Sequence, residues 1–352
     1  MNIKVLLFTV LNVLIVQRFC FSQNDTVKAK ILEDTSAVVE KLYNKGIEYF
    51  KYKSFDKAMK NFTDALAMKP DFERAYYNRG TTKFEMKNYN GAIADFNLAL
   101  GIAQKPDSYF SLGQAEYELG DKEKATADYS KTVQLKIDYA QAYYYRGGIK
   151  FEAGDYKGAI DDFTSVIRYK PDYAYAYNDR GSAKRETGDL DGAIKDYKNS
   201  LVANSDMAFA YNNLGSVKRK KGDLMGAIGD YTEAINHKKE YVIAYNNRGS
   251  AKYDAGDYHG ALEDYNSAIG LKQDYDYAYN NRGAAKFKLK DYNGSIDDFT
   301  KAIKINPKYG YAYMNRGVAK EMLRDDAGAC EDWKKAVELT VEAAKDYTGS
   351  CK

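Results

Sequence analysis

A fixed period of 34 residues limits this chain to very few architectures. Glycines in the context Asn-Arg-Gly and its variants stand at Gly46, Gly80, Gly113, Gly147, Gly181, Gly215, Gly249, Gly283 and Gly317, with gaps of 34, 33 and then 34 throughout. Self-similarity at a period of this size marks an array of one supersecondary unit, each copy resting on its neighbours. With that glycine set at position 8, other columns fall into line. Position 20 is alanine from Ala58 to Ala329 except at Ser295, and position 24 is aromatic from Phe62 to Trp333. Position 4 is Leu42 and then tyrosine from Tyr76 to Tyr313. The columns account for an unusual composition of 34 Tyr, 27 Gly and only 4 Pro. Most of the glycines fall at positions 8, 15 or 19, where they punctuate the repeat.

Positions 4, 8 and 11 share one helical stripe, and positions 20, 24, 27 and 28 share another, so each unit reads as two amphipathic helices. A pair such as Gly154-Asp155 ends the first helix and caps the second. Small residues at 8 and 20 let the two backbones approach, and the aromatic at 24 fills the space beside them. A lone unit cannot bury this stripe, whereas stacked neighbours can.

The columns resemble the tetratricopeptide repeat, whose consensus sets an aromatic, Leu-Gly, Ala, a second aromatic, Ala and Pro at matching offsets. The resemblance covers units 39–72, 73–105, 106–139, 140–173, 174–207, 208–241, 242–275, 276–309 and 310–343, with a lead-in over 23–38 and a tail over 344–352. It implies an all-α fold, a right-handed α-solenoid (superhelix) of antiparallel helix hairpins. Two columns depart from the family. Position 7 is arginine in six units (Arg79, Arg146, Arg180, Arg248, Arg282, Arg316), and position 11 is usually lysine. The closing proline survives only at Pro70, Pro171 and Pro307.

Met1 to Ser22 reads as a secretory signal. Lys4 precedes an apolar run over Val5 to Val16, too short to span a bilayer, and Cys20-Phe21-Ser22 sets small residues for cleavage before Gln23. An uncleaved anchor and an acylated Cys20 are the rival readings, although Gln17-Arg18-Phe19 makes a poor lipobox. The expected location is therefore periplasmic or envelope-associated in a bacterium, and secreted otherwise. The net charge of +3, nearer +1 without the leader, argues against charge-driven nucleic-acid or membrane binding. Cys330 and Cys351 remain after cleavage and leave room for one bridge, although Cys330 beside Ala329 reads as a small buried apolar residue.

Catalysis is not expected, and no cofactor or metal is implied. His237 and His259 lie in different units without partners at ligand spacing. Adjacent carboxylates such as Asp161-Asp162 and Asp297-Asp298 recur at fixed repeat positions and read as a solvated face. Asp occupies position 23 in eight units, from Asp95 to Asp332, so the arginines of position 7 are expected to form a ladder of ion pairs that fixes register.

What remains is a groove. In the family, the first helix lines the concave face and meets extended or helical peptides, which implies a non-catalytic scaffold for a protein or peptide partner. No nucleic acid or small-molecule substrate is indicated. Position 5 reads Asn178, Asn212, Asn246 and Asn280, and position 2 reads Tyr175, Phe209, Ile243, Tyr277 and Tyr311. Amides bond a peptide backbone through donor and acceptor, and tyrosines give contact area at low entropy cost. The asparagines equally suit bonds between neighbouring helices, and both readings stand at this level. Arg185, Arg219 and Lys220 would favour an acidic segment. An alternative function is an assembly element that self-associates through its terminal repeats, since the last helix would have to supply its own polar end through Glu331, Lys334, Lys335 and Glu338.

Overall fold

The computed structural model describes Lys28, residues 34–349 and Cys351. The expected leader and its cleavage site lie outside the described residues. Among those residues the chain is helical and contains no strand, and no helix is long and apolar enough to cross a membrane. The chain divides into two compact units, one ending at Ile149 and one beginning at Lys150. The first carries α1 (34–51), α2 (Phe55–Met68), α3 (Glu73–Glu85), α4 (Tyr89–Ile102), α5 (Pro106–Glu118), α6 (Lys122–Leu135) and the start of α7 (Ala140–Glu152). The second begins with the last residues of α7 and continues with α8 (Tyr156–Tyr169), α9 (Ala174–Glu186), α10 (Leu190–Ala203), α11 (Ala208–Lys220), α12 (Leu224–His237) and α13 (Val242–Asp254). There follow α14 (Tyr258–Leu271), α15 (Asp276–Lys288), α16 (Tyr292–Ile305), α17 (Gly310–Met322) and α18 (Asp326–Glu338). A 3-10 turn over Glu342–Ala344 leads into the short α19 (Lys345–Thr348).

Each repeat whose two helices lie in one unit is a hairpin of helix A and helix B, and within each unit a helix B packs on the helix A that follows it. The fold is therefore an all-α repeat solenoid. The hairpin turn is set by position 15, which lies in the left-handed region. Glycine holds it at Gly120, Gly154, Gly188, Gly222 and Gly256, while Lys53, Lys87, Lys290 and Arg324 adopt φ of 55–65°. The next residue caps helix B. Asn88, Asp121, Asp155, Asp189, Asp223, Asp257, Asp291 and Asp325 each accept a bond from the backbone N–H three residues on.

Close packing of A on B explains the small-residue columns. A Cβ placed on Gly181 would stand 3.0 Å from Cε1 of Tyr197 and 3.3 Å from the carbonyl oxygen of Ala193. Ala193 and Tyr197 are completely buried. A large side chain at position 8 would push the helices apart and break the layer below.

The far end of the second unit corrects two expectations. Cys330 is not a free apolar thiol, because it forms a disulfide with Cys351. The last helix B also does not face solvent unaided. Val341 and Ala344 are buried beside Ala336, Tyr313 and Met314, and Tyr347 stacks on Trp333 with centroids 5.1 Å apart.

Candidate functional site

The expected arginine ladder forms inside the hairpins. Arg79, Arg180, Arg248, Arg282 and Arg316 each grip the position 23 aspartate of their own repeat through Nε and Nη2, at 2.6–3.0 Å. These aspartates are almost fully buried, so each needs full compensation for lost water. A second cation supplies it. The position 11 lysine of the same helix A lies 2.6–2.9 Å from the same carboxylate at Lys83, Lys184, Lys252, Lys286 and Lys320. The third nitrogen of each arginine, Nη1, reaches the preceding helix B, for example Thr164 from Arg180 and Thr232 from Arg248 at 3.0 and 3.1 Å. One guanidinium thus joins two successive repeats, and its bond to aspartate raises the pKa of Arg79 and Arg282. The position 11 lysines were legible as a departure from the family but not as the second half of this clamp.

Three repeats lack the arginine, and the first of them carries Lys45 in its place and Asn61 in place of the aspartate. In the sixth, Leu214 fills the site and Lys218 alone holds Asp230 at 2.7 Å, and burial raises that carboxyl's pKa. In the third, Leu112 is joined by Glu116 in place of lysine. Glu116 and Asp128 hydrogen-bond each other, and burial, then the bond to Asp128, pushes Glu116 up to about 8. Two carboxyls can share that bond only while one keeps its proton.

The asparagine column resolves toward packing. Asn178, Asn212, Asn246 and Asn280 are only 5–7% exposed. Their Oδ1 atoms accept from Nδ2 of Asn213, Asn247, Asn281 and Asn315 on the next helix A at 3.0–3.1 Å. Position 5 of one repeat is thus bonded to position 6 of the next, in a ladder from α9 to α17. Each of these carbonyls already spends one lone pair on the ladder and is nearly buried, so the line of amides expected to grip a peptide backbone serves first as a bond between helices.

The ring column behaves differently. Tyr175, Ile243, Tyr277 and Tyr311 at position 2 are 47–56% exposed, and Phe209 is half-buried, stacked on Tyr175 at 5.8 Å. Of the expected basic residues, Arg219 bonds Asp254 at 2.6 Å and Arg185 bonds Glu186 at 2.8 Å. Lys220 is exposed. Arg219 and Lys220 line a cavity of about 320 Å³ with Ser216, Tyr231, Asn247 and Asp254. Positive charge on this face is therefore largely matched within the fold.

Sequence profiles of the tetratricopeptide repeat match residues 73–106, 110–167, 146–208 and 277–309, and a TPR repeat profile matches 249–290. The chain belongs to the tetratricopeptide repeat family. A comparison with curated proteins returned no match. Among solved structures, the TPR chain is similar to the C-terminal part of a TPR repeat-containing protein from Cytophaga hutchinsonii, with a TM-score of 0.58 and 16% identity over 68% of this chain and 98% of that one. It is similar to the APC/C hetero-tetramer Cut9-Hcn1, with a TM-score of 0.56 and 14% identity over 89% and 76%. A tetratricopeptide repeat protein from Parabacteroides merdae gives 0.51 and 19% over 72% and 98%. At these identities the likeness shows the TPR fold alone.

Proposed function

We propose that this TPR chain is an exported, non-catalytic scaffold that captures a protein or extended peptide along the exposed helix A face of repeats five to nine. The observation that carries the reading is the line of half-exposed apolar side chains at position 2, one repeat apart. Tyr175, Ile243, Tyr277 and Tyr311 stand beside the asparagine ladder, so the backbone beneath them is held rigid while the side chains remain available. Pre-organised aromatic anchors of this kind bind with little ordering cost. With Arg185 and Arg219 paired internally, apolar contact outweighs charge in this reading, and Lys220 is left as the basic contribution to an acidic segment.

Export is supported by the leader pattern and by the Cys330–Cys351 disulfide, since such bonds persist in oxidising compartments. N-terminal sequencing of the native protein should find Gln23, and an intact Met1 would reject the export reading. Self-association through the terminal repeats has less support. Lys41 and Glu48 occupy positions 3 and 10 of the first repeat, which in most later repeats hold buried alanines such as Ala176 and Ala183, and both are exposed. Two charges on that face oppose stacking of another apolar helix.

The test of the scaffold reading is Tyr175→Ala with Tyr277→Ala, measured against a panel of immobilised peptides. Losing two aromatic anchors should weaken capture at least about tenfold. The melting curve should barely move, because both rings are about half exposed. The control, Lys195→Ala with Lys198→Ala on helix B, should leave capture intact. Capture lost in the control and kept in the tyrosine variant would place the partner on the helix B face.

A further inference from the structure

Residues 341–349 and Cys351 take up the register of a further helix A. The N–H of Ala344 donates to the carbonyl of Val341 at 3.0 Å, as Ala176 does to Tyr173 and Ala312 to Tyr309 at the same distance. Val341 and Ala344 are 5% and 0% exposed, matching 3% and 0% for Met207 and Ala210 at the start of α11. In that register Tyr347 takes position 6 and Cys351 takes position 10. Tyr347 stacks on Trp333 as the position 6 Tyr145 stacks on Tyr129. From the second repeat onward position 10 is buried and most often alanine, and in the regular repeats it rests against position 21 of the preceding helix B. Ala251 sits in one apolar cluster with Ile228, and Ala285 in another with Leu262. Cys330 is position 21 of the ninth repeat. The disulfide therefore occupies the seat of an apolar contact found between regular repeats.

We propose that Cys330–Cys351 is a redox-sensitive latch, which holds this partial repeat over the end of α18 and releases it when a dithiol reduces the bond. The part it holds is weak by itself. The four residues of α19 are far below the length at which a helix survives in water, and few side chains of the segment are buried. The crosslink spans a sequence separation of 21, enough to restrict the released chain strongly. Access is built in. A surface cavity of about 660 Å³ is lined by Glu321, Asp326, Cys330, Trp333 and Lys334, and both cysteines are half-buried. A reductant thiolate attacks Sγ of Cys330, the S–S bond breaks, and Cys351 leaves as a thiolate that takes up a proton. The second thiol of the reductant loses its proton and, as thiolate, displaces Cys330, which leaves as a thiolate and takes up a proton, and the reductant departs as its own disulfide. Release uncovers Trp333 and Ala336, the helix B face that every earlier repeat covers with the next helix A.

Trp333 is the sole tryptophan of the chain, so its emission reports the latch directly. The experiment compares the full chain before and after treatment with dithiothreitol, alongside Cys351→Ser. Reduction should shift Trp333 emission to the red and raise amide exchange over 342–348 by about a hundredfold, the change expected for losing a crosslink of this span. Exchange in α11 should not change, and Cys351→Ser should behave as the reduced protein does. Reoxidation should restore both signals. Unchanged emission and exchange after complete reduction would overturn the proposal, as would peptide mapping that finds both thiols free in protein prepared without reductant. Loss of protection throughout the second unit would also overturn it, since the bond would then support the whole unit.

Discussion

The third and seventh repeats share one hairpin and solve its polar interior in opposite ways. In the seventh, Asp264 is held between Arg248 and Lys252, and the hydroxyl of Tyr265 donates to Ser250. In the third, the corresponding residues are Leu112, Glu116 and Asp128, and Gln114 stands where Ser250 does. Its buried atoms show the consequence, because Ser108 Oγ, Glu116 Oε2 and Tyr129 Oη have no hydrogen-bond partner. Position 5 differs as well. Phe110 packs there against Tyr129, Tyr139 and Tyr145, where Asn246 of the seventh repeat joins the amide ladder. The comparison separates what the fold needs from what it tolerates. Gly113 and Gly249, Ala125 and Ala261, and Tyr129 and Tyr265 keep the helix crossing identical, while the charge clamp is exchangeable.

The largest expected effect comes from breaking the seventh repeat's clamp at its centre. Asp264→Ala leaves Arg248 and Lys252 facing each other in a largely buried site, and should cost about 3–5 kcal/mol. Arg248→Leu reproduces what the sixth repeat already contains at Leu214, and should cost much less, about 1 kcal/mol, because Lys252 still neutralises the carboxylate. Amide exchange within α13 and α14 is the appropriate measurement, since a repeat array loses stability locally. Equal losses for the two variants would mean that the aspartate is not the hub.

The third repeat should differ from the seventh in its response to pH. Glu116 rises from the ordinary 4.5 to about 8, with burial the main cause, then Asp128. The groups facing it are Asp128 and Lys124 on α6 and Asp121 at its cap, and Asp128 is itself raised. A carboxyl whose folded pKa is raised binds its proton more tightly in the folded state. Its stabilisation is complete below about pH 4.5 and is lost as pH climbs toward 8. Exchange in α5 and α6, corrected for intrinsic rates, should show a loss of about 2 kcal/mol over that range, while α13 and α14 stay level. Glu116→Gln should flatten the dependence. A persistent slope in that variant would assign the titration to another group.

Much of this architecture was legible in the chain because small and aromatic columns obey steric rules that hold residue by residue. Gly181, Ala193 and Tyr197 could be placed together from spacing alone. The polar residues were harder, since a hydrogen-bonding side chain advertises capacity without direction. Asn246 on an exposed-looking helix stripe suits a ligand and a neighbouring helix equally, and only the 35-residue offset to Asn281 decides between them. Cys330 and Cys351 were left open because the tail's register slips by two residues from the 34-residue frame. The comparison with Phe110 sharpens the asparagine result. Asn246→Ala should strand Asn281 Nδ2 and cost about 1 kcal/mol in exchange protection of α13 and α15. No loss of protection would return Asn246 to the candidate ligand contacts.

The smallest expected effect tests the turn that both repeats share. Position 15 is glycine in the third and seventh repeats, at Gly120 and Gly256, but lysine in the eighth at Lys290, with φ of 63°. A residue with a Cβ is strained in that region, by roughly 1 kcal/mol, whereas glycine is not. Lys290 is exposed, so its side chain offers little packing to lose. Lys290→Gly should therefore raise local stability, although added freedom in the unfolded chain reduces the gain to about 0.5 kcal/mol. Gly256→Lys should move the seventh repeat by a similar amount in the opposite direction. Exchange at the turn amides of Asp291 and Asp257, which donate to Lys286 and Lys252, reads both changes without involving the clamp. If Lys290→Gly destabilises the turn, the lysine side chain has a structural role beyond filling a left-handed position. If neither variant moves its turn, position 15 is relaxed in both repeats, and the backbone contributes nothing to the difference between them.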